Sequence, residues 1–395
     1  MEIRSVTLFC SPELTPARVQ AFFQATTGRF HCPVQTRRVA LPSFPDWWTG
    51  SEEPARLVQR WREAGADYVS LGPVLLRHDA GWLGRLPDLL GAGDALFASA
   101  EVADCAGNVD IGRALAIARL IRAASTIQDN GFGNLYFTAL ANCPPGSPFF
   151  PVAYHDGGPP TFALAIEGAD LALQAITGAS SLAEARQRLV GTIEDAARGL
   201  VAAAKALAEE QGIAFSGLDF SLAPYPEEAR SLAGAMEALG LPWIGASGSL
   251  LAAAFIAEAI GRADFPRCGF SGLMLPVLED SVLAARAAEG RVGLGDLLSY
   301  AAVCGVGLDT VPLAGDISEE VLAAILLDVA ALAQRLDKPL TARLMPLPGL
   351  KAGDPVHFDF PYFADSRVLP VAGPGVRGLL GAGESIALTA YHGAE

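Results

Sequence analysis

The sequence is poor in the features that mark several large classes of protein. Only 18% of its 395 residues are charged, and the 43 acidic residues exceed the 28 basic ones, giving a formal net charge of −15. There is no basic run and no zinc-finger spacing, which argues against binding to nucleic acid or anionic lipid. No stretch of about 18 residues is apolar without a charge, and no signal-peptide pattern opens the sequence. These absences predict a cytoplasmic protein that binds neither nucleic acid nor membranes.

Motifs typical of common cofactors and catalytic triads are also missing. The six cysteines form no CxxC pair and the five histidines form no HxH or HxxxH pattern. This scatter argues against a disulfide framework and against a cysteine-based metal site. No GxGxxG or P-loop fingerprint indicates a nucleotide, and no GxSxG element accompanies a Ser–His–Asp order. We therefore expect reduced, mostly buried thiols and no nucleotide cofactor.

What the sequence has is a high hydrophobic content, 51%, arranged as short apolar runs that alternate with helical patterns. Such alternation is typical of βαβ units and a mostly parallel sheet. The absence of a linker or of a change in composition favours one α/β domain over residues 1–395. The predicted strands are Ile3–Phe9, Gln35–Ala40, Tyr68–Leu71, Ala95–Ala98, Leu135–Leu140, Thr161–Ile166, Gly217–Phe220, Leu308–Pro312 and Leu340–Leu344.

Four helices carry clear start or stop signals. A serine cap and a following glycine predict a long helix over Leu182–Gln211, although two internal glycines weaken the case for one straight helix. A serine followed by two glutamates predicts a helix that runs from Ser318 to about Leu336. Proline at the first helical position predicts a helix from Pro226 that ends at Gly240. The fourth prediction is Ile111–Gln128.

In parallel α/β folds ligands bind at the carboxyl ends of strands, so polar residues near strand ends are the first site candidates. The segment 301–316 contains Cys304, Asp309 and Asp316. Asp309 lies in an apolar run, where an unpaired carboxylate would be costly. The alternatives are a carboxylate satisfied by backbone amides for Asp309, a small buried hydrophobe for Cys304 and a helix cap for Asp316.

Two further strands carry polar residues among apolar ones. Asp219 and Ser221 alternate with apolar neighbours, so a strand would place both on one face, as a pocket wall or as a solvated or capping pair. Arg343 is a charge inside a strand pattern. Such an arginine is paired, or it faces a ligand carboxylate or phosphate.

Three loops complete the candidate residues. The proline-rich segment 142–158 predicts a rigid loop at the surface of a cavity, with Asn142 as a ligand contact and His155 as a general base or metal ligand. Because adjacent residues on an extended chain point apart, His155 and Asp156 are not expected to form a dyad. Ser247 precedes an apolar helix, as an anion site or as an ordinary cap. Ser271, in the run 270–276, is a further predicted ligand contact.

The most specific motifs are DFSLAP (219–224), SGLMLPVLED (271–280), CGVGLDTVPLAGD (304–316) and TARLMPLPGLKAGD (341–354), with NCPPGSPFFPVAYH (142–155) matching more loosely. Together they resemble the DUF711 family, also called UPF0210, most strongly over residues 134–371. The resemblance implies a fold similar to pyruvate formate-lyase-like enzymes, a ten-stranded α/β barrel of two parallel half-barrels packed antiparallel. It also implies a partner with an ACT domain.

The chain departs from the family pattern at several positions. Ala302 stands where the family often has a second cysteine, and Ser247 stands where it has a histidine. The segment 373–380 does not match the glycine motif of a glycyl radical enzyme, so radical chemistry is not expected despite the implied fold.

These observations predict an enzyme of hydrolase or lyase type that acts on a small metabolite by acid–base chemistry inside the barrel. The predicted catalytic residues are His155, Asp219, Asp309 and Cys304, and the predicted substrate contacts are Ser221, Ser247, Ser271, Arg343 and Asn142. A divalent cation, Mg²⁺ or Ca²⁺, is the one cofactor considered, with Asp219, Asp309 and Asp316 as its oxygen ligands. The alternative is a non-catalytic metabolite-binding or regulatory protein. Glycine-rich loops and an apolar surface suggest a homodimer.

Overall fold

A computed structural model of the protein describes residues 1–50 and 53–391. Its strands are β1 (Glu2–Phe9), β2 (Val34–Ala40), β3 (Tyr68–Val74), β4 (Leu96–Ala103), β5 (Asn108–Asp110), β6 (Phe137–Ala141), β7 (Thr161–Glu167), β8 (Ala214–Ala223), β9 (Gly307–Ala314), β10 (Leu340–Leu347), β11 (Pro355–Val356), β12 (Ser366–Arg367) and β13 (Ser385–Ala387). All nine predicted strands are confirmed, with ends shifted by a few residues.

The large sheet runs in the order β8, β7, β1, β2, β3, β4, β6, β10, β9. Strands β1, β2, β3, β4 and β6 form one parallel block. The parallel pairs β7–β8 and β9–β10 flank this block and run antiparallel to it. The fold is therefore mixed α/β, built on two sets of parallel strands that run in opposite directions. Short strands β13 and β5 pair beside β4, and β11 pairs with β12 separately.

Helices connect the strands. They are α1 (Pro16–Thr26), α2 (Phe44–Trp47), α3 (Pro54–Glu63), α4 (Leu86–Leu90), α5 (Ile111–Ala124), α6 (Ala169–Thr177), α7 (Leu182–Gln211), α8 (Leu232–Ala238), α9 (Ser249–Arg262), α10 (Ser281–Ala288), α11 (Leu294–Cys304) and α12 (Glu319–Leu336). Short 3₁₀ turns occupy Ala80–Arg85, Asp129–Tyr136, Glu228–Arg230 and Gly378–Gly381.

The long helix α7 has the predicted boundaries and is continuous. The Ser181 side chain accepts a hydrogen bond from the Glu184 amide, and Gly212 takes the left-handed conformation that ends the helix. Its buried residues recur every three or four positions, Ala185, Leu189, Ile193, Ala197, Leu200, Ala204 and Leu207. This spacing presents one apolar stripe to the sheet, which outweighs the two internal glycines.

The predicted start of the helix at Pro226 is wrong. Residues 228–230 form a single 3₁₀ turn, and α8 begins only at Leu232. The reason is a cap from a distant part of the chain. The carboxylate of Asp280 accepts hydrogen bonds from the Ser231 hydroxyl at 2.5 Å and from the Leu232 and Ala233 amides at 2.7 and 3.0 Å. The helix predicted over 111–128 also ends earlier, at Ala124.

The proline-rich segment 142–158 packs against the inner face of the sheet. The carbonyl oxygen of Pro148 accepts hydrogen bonds from the hydroxyls of Ser5 and Thr7 in β1, at 3.1 and 2.9 Å. The Ser70 hydroxyl in β3 donates to the Ala153 carbonyl at 2.6 Å. These bonds hold the loop against two strands, and Phe149 and Phe150 line a cavity, so the predicted position of this loop at a cavity is confirmed.

The segment 266–278 lies beside both edge strands of the sheet. The Cys268 amide donates to the Leu218 carbonyl of β8 at 3.0 Å, and the Val277 amide donates to the Asp309 carbonyl of β9, also at 3.0 Å. Each contact has the geometry of an isolated parallel bridge. Within the described residues this segment satisfies backbone groups of the two outermost strands.

Candidate functional site

A cavity lies on the inner face of the large sheet. Its volume is about 80 Å³. Strands β1, β2, β3, β4, β8, β9 and β10 contribute to its wall, together with loops that cover the sheet interior. The lining residues are Arg4, Gln35, Thr36, Arg38, Tyr68, Phe97, Leu135, Phe149, Phe150, Ala223, Met274, Glu279, Asp309, Arg343, Phe360 and Tyr362.

Arg343 is the hub of an ion network in the cavity wall. Its Nε donates to Asp309 Oδ1 at 2.5 Å and its Nη2 donates to Glu279 Oε1 at 2.8 Å. All three residues are buried. Arg343 thus holds two carboxylates from different parts of the chain with directed hydrogen bonds, a geometry suited to a guanidinium.

Arg4 extends the network from the other side of Glu279. Its Nη2 donates to Glu279 Oε2 at 2.8 Å and its Nη1 donates to Glu167 Oε2 at 3.0 Å. Glu167 also pairs with Arg230. Glu279 therefore bridges two arginines, and both of its carboxylate oxygens are occupied.

Burial and neighbouring charges together shift the pKa values of Asp309 and Arg343. Burial raises the pKa of Asp309, and the neighbouring charge of Glu279 raises it further, against the opposing effect of Arg343. Burial acts to lower the pKa of Arg343, but the charges of Asp309 and Glu279 outweigh it, so that the pKa is raised. Asp309 is thus a buried carboxyl whose pKa is raised and whose orientation is fixed by Arg343, two properties that are common among proton-transfer groups.

Arg38 lines the same cavity, but its surroundings differ from those of Arg4 and Arg343. Only 7% of the residue is exposed, and its Nε donates to Thr36 Oγ1 at 2.9 Å. The guanidinium carbon lies 5.1 Å from the ring centre of Phe150 and 5.6 Å from that of Tyr68. Burial, together with repulsion from Arg4, lowers its pKa to about 9.

Aromatic side chains form the remaining wall. Phe97 makes edge contacts with Tyr68, Tyr136 and Phe150 at ring-centre distances of 5.1–5.3 Å. The Tyr362 ring lies 5.1 Å from the Arg4 guanidinium carbon. The cavity therefore combines a charged floor with an apolar, planar wall, an arrangement typical of small-molecule sites.

Asp219 and Ser221 share one face of β8, as predicted, but lie outside this cavity. The Ser221 hydroxyl donates to Asp219 Oδ1 at 2.5 Å. The amides of Phe270 and Ser271 also donate to the Asp219 carboxylate, each at 2.8 Å. Burial raises the pKa of Asp219 to about 6 against these hydrogen bonds. The geometry is that of a buried carboxylate that fixes the segment 266–278.

His155 is buried but does not line the cavity. Its Nδ1 lies 3.3 Å from Asp156 Oδ1 and its Nε2 lies 2.9 Å from the Gly158 carbonyl oxygen. The expectation that these neighbours point apart is wrong, because the chain here is a turn rather than a strand. Gly157 has φ +91°, and the Gly158 amide donates to Asp156 Oδ1.

Cys304 and Ser271 border a second, more open hollow together with Lys338. Burial raises the pKa of the Cys304 thiol. The Lys338 ammonium donates to the Ala302 carbonyl at 2.9 Å, and burial lowers its pKa. A thiol held protonated in this way is a weak nucleophile.

The other predicted contacts are dispersed. Ser247 is exposed in the turn before α9, and Asp316 is exposed in the turn before α12. Asn142 is buried and donates to Asp337 at 3.3 Å. Of the three aspartates considered for a cation, only Asp309 lines the cavity. Within residues 1–50 and 53–391 no three His, Cys, Asp or Glu side chains are grouped so that they could hold a metal ion.

Four important lining residues were not among the predicted site residues: Arg4, Arg38, Glu279 and Tyr68. They lie within strands or just after a loop, whereas the sequence interpretation concentrated on the carboxyl ends of strands. The signal that identified Arg343, a charge inside a strand pattern, is also present at Arg4 in Glu2–Phe9 and at Arg38 in Val34–Ala40. It is weaker there because both strands contain other polar residues.

The fold and the cavity define a class: an α/β protein with a charged, aromatic-walled cavity on the inner face of its sheet. No helix in the described part of the chain has the length and hydrophobicity needed to cross a membrane. The chain belongs to the family described as "Uncharacterised ACR (DUF711)", whose model matches residues 16–361. The resemblance found in the motifs is thereby confirmed.

Named relatives agree with this assignment. A UPF0210 protein from Pyrobaculum arsenaticum is 39% identical over 228 residues, which are 55% of this chain and 50% of that protein. One from Desulforudis audaxviator is 30% identical over 311 residues, 75% of this chain and 69% of the relative. One from Syntrophobacter fumaroxidans is 28% identical over 358 residues, which are 84% of this chain and 78% of the relative. The matched part of this chain spans about half the length of the Pyrobaculum arsenaticum protein.

Proposed function

We propose that this protein is an enzyme that acts on a small metabolite by hydrolase- or lyase-type acid–base chemistry, with Asp309 as the proton-transferring group. The observation that carries the proposal is the position of Asp309, a buried carboxyl with a raised pKa in the wall of the cavity. A general acid or base needs a pKa near the operating pH and a fixed orientation.

The surrounding residues have roles that follow from their contacts. Arg343 orients Asp309 through the 2.5 Å hydrogen bond and stabilises the charge that Asp309 carries after it loses a proton. Glu279 and Arg4 hold Arg343 in turn. The aromatic wall excludes water, which strengthens these electrostatic interactions. Proton transfer at Asp309 is therefore coupled to a rigid ion network.

The proposal places this chemistry inside a single domain whose sheet closes into a ten-stranded barrel. The tenth element is the segment 266–278, which lies between β8 and β9. Support comes from its hydrogen bonds to Leu218 on one side and to Asp309 on the other, and from the opposite directions of the two sets of parallel strands. Closure in this way leaves no exposed sheet edge.

A non-catalytic metabolite-binding or regulatory protein is the second candidate. It is favoured by the placement of His155, Asp219 and Cys304, which all lie outside the cavity lining. In this alternative the cavity binds its ligand without turnover and passes the bound state to a partner, for which the family resemblance suggests an ACT-domain protein.

The test is turnover of a panel of small organic acids, esters and amides, followed by mass spectrometry. We compare wild type with Asp309→Asn and with the control Asp316→Asn, because Asp316 is an exposed aspartate outside the cavity. Loss of a general acid or base reduces rates about 10²–10⁴-fold, so turnover should collapse in Asp309→Asn and persist in Asp316→Asn. Unchanged turnover in a folded Asp309→Asn protein would contradict the proposal, and ligand binding without turnover would favour the second candidate.

A further inference from the structure

We infer that Arg38 binds the carboxylate of the substrate, and that the substrate class is a compact organic monocarboxylate with an apolar or aromatic substituent. This assignment rests on the proposed function in one respect, that the cavity beside Asp309 is the substrate site. It names a binding residue that neither the sequence interpretation nor the family relationship identifies.

The first observation is that Arg38 stands apart from the other two arginines of the cavity. Arg4 and Arg343 each form two ion pairs with carboxylates. Among the described residues Arg38 forms none, and its one side-chain hydrogen bond runs from Nε to Thr36. A buried guanidinium without an anion is costly, so a bound anion would satisfy a group that the protein itself leaves unpaired.

The second observation is how Arg38 is oriented. The Thr36 hydroxyl accepts from Arg38 Nε and itself donates to the Arg4 carbonyl at 2.7 Å, which ties one edge of the guanidinium to β1 and β2. The rings of Tyr68 and Phe150 lie within cation–π distance. The two terminal nitrogens remain for a ligand, and their fork matches the two oxygens of a carboxylate.

The third observation is the charge of the lining. Arg4 and Arg343 are paired with carboxylates, so Arg38 carries the one positive charge of the described lining that has no acidic partner. A single negative charge on the ligand balances it. Phosphate carries about −1.5 to −2 at neutral pH and would leave an uncompensated charge in a buried site.

The fourth observation concerns the rest of the ligand. The Phe150 ring faces Arg38, Phe97 packs against Phe150, and Phe149, Leu135 and Met274 also line the cavity. This apolar part of the lining suits an apolar or planar group. The small volume of the cavity limits the ligand to a short molecule. Together these features select a monocarboxylate with a hydrophobic substituent.

The test is calorimetric titration of the full-length protein with phenylacetate, with its neutral analogue phenylacetamide and with inorganic phosphate. The variants are Arg38→Met and Arg38→Lys, with Arg37→Met as the matched control. Arg37 is the adjacent residue of β2 and loses the same charge, but its side chain bonds to Thr26 and Thr27 at helix α1, away from the cavity.

We expect phenylacetate to bind wild type and Arg37→Met equally, and phenylacetamide and phosphate to bind at least tenfold more weakly. Losing a charge-assisted pair without replacement raises a dissociation constant about 10- to 100-fold. We expect a rise of this size for phenylacetate binding to Arg38→Met, and a smaller rise for Arg38→Lys. Arg38→Met should remain folded, because it removes a buried, unpaired charge. Thermal denaturation of each variant checks this point.

Equal binding of phenylacetamide, tighter binding of phosphate, unchanged binding by Arg38→Met, or no phenylacetate binding at millimolar concentration would each overturn the inference. Asp309→Asn separates it from the proposed function. If Arg38 anchors the carboxylate, Asp309→Asn still binds phenylacetate whatever its effect on turnover. If turnover depends on Asp309 while Arg38→Met binds normally, the proposed function stands and the assignment of Arg38 fails.

Discussion

The Arg343→Met substitution tests the ion network that shapes the cavity. Methionine keeps much of the length of the arginine side chain but removes its charge and all of its donors. Asp309 and Glu279 would lose hydrogen bonds of 2.5 and 2.8 Å in a buried environment. Breaking a buried ion pair by removing one partner costs about 3–5 kcal/mol of unfolding free energy, because the remaining charge is left uncompensated. We expect a loss in this range at pH 7.

A double-mutant cycle with Asp309→Asn isolates the pairwise part of this loss. In the Arg343→Met background, asparagine removes a charge that no longer has its partner, so Asp309→Asn should restore part of the stability there. In the wild-type background Asp309→Asn should destabilise the protein, because it weakens the hydrogen bond between residue 309 and Arg343. Contacting residues in one network have coupling energies of about 0.5–3 kcal/mol, and a short buried pair should lie in the upper half of that range.

Urea denaturation at several pH values measures all four proteins. The loss in Arg343→Met should shrink at acid pH, because Asp309, which has lost its partner, then becomes protonated and no longer buries a charge, whereas Glu279 keeps its ion pair with Arg4. High salt should change the loss of unfolding free energy in Arg343→Met little, because salt screens buried ion pairs weakly. A loss below about 1 kcal/mol, the size typical of surface pairs, or a coupling energy near zero, would refute the view that the network holds the cavity together.

Three further predictions follow from other parts of the fold. Burial raises the pKa of Glu101 from 4.5 to about 7; the folded state therefore binds more protons, and this group costs about 3 kcal/mol of stability as pH rises from 4.5 to 7. Glu101→Gln should flatten that part of the pH–stability curve, and an unchanged curve would contradict the assignment. At Gly245, φ +100°, a Cβ would collide with the Arg291 carbonyl, so Gly245→Ala should lose more than about 2 kcal/mol. Gly191→Ala in α7 has open space and should gain about 0.5–1 kcal/mol; equal thermal shifts for these two alanine variants would count against this reasoning. Iodoacetamide should label exposed Cys105 in the native protein while buried Cys304 reacts only on unfolding, and peptide mass spectrometry showing the reverse order would disprove this.

Part of the site was predictable because a buried charge needs a partner. Asp309 and Arg343 interrupt apolar strands. Arg343 was predicted to be paired or to face a ligand, and Asp309 to be a site carboxylate or to be satisfied by backbone amides; the structure places the two side chains in contact. Arg38 is a similar residue in a more polar strand, where a solvent-facing position is an equally good interpretation of the sequence. Glu279 immediately precedes the helix cap Asp280, so the sequence around it indicates a helix start rather than a site.

Local structure was determined by the sequence itself. The strands and the helix Leu182–Gln211 follow from periodicity, capping serines and terminal glycines, all of which act between residues close in the chain. The tertiary structure decided which side chains meet. Arg4 and Glu279 are 275 residues apart in the chain, and their contact depends on the order and register of the strands and on the path of the segment 266–278. A one-residue shift of a strand would turn these charges to the opposite face, so the cavity exists only when the whole sheet is assembled.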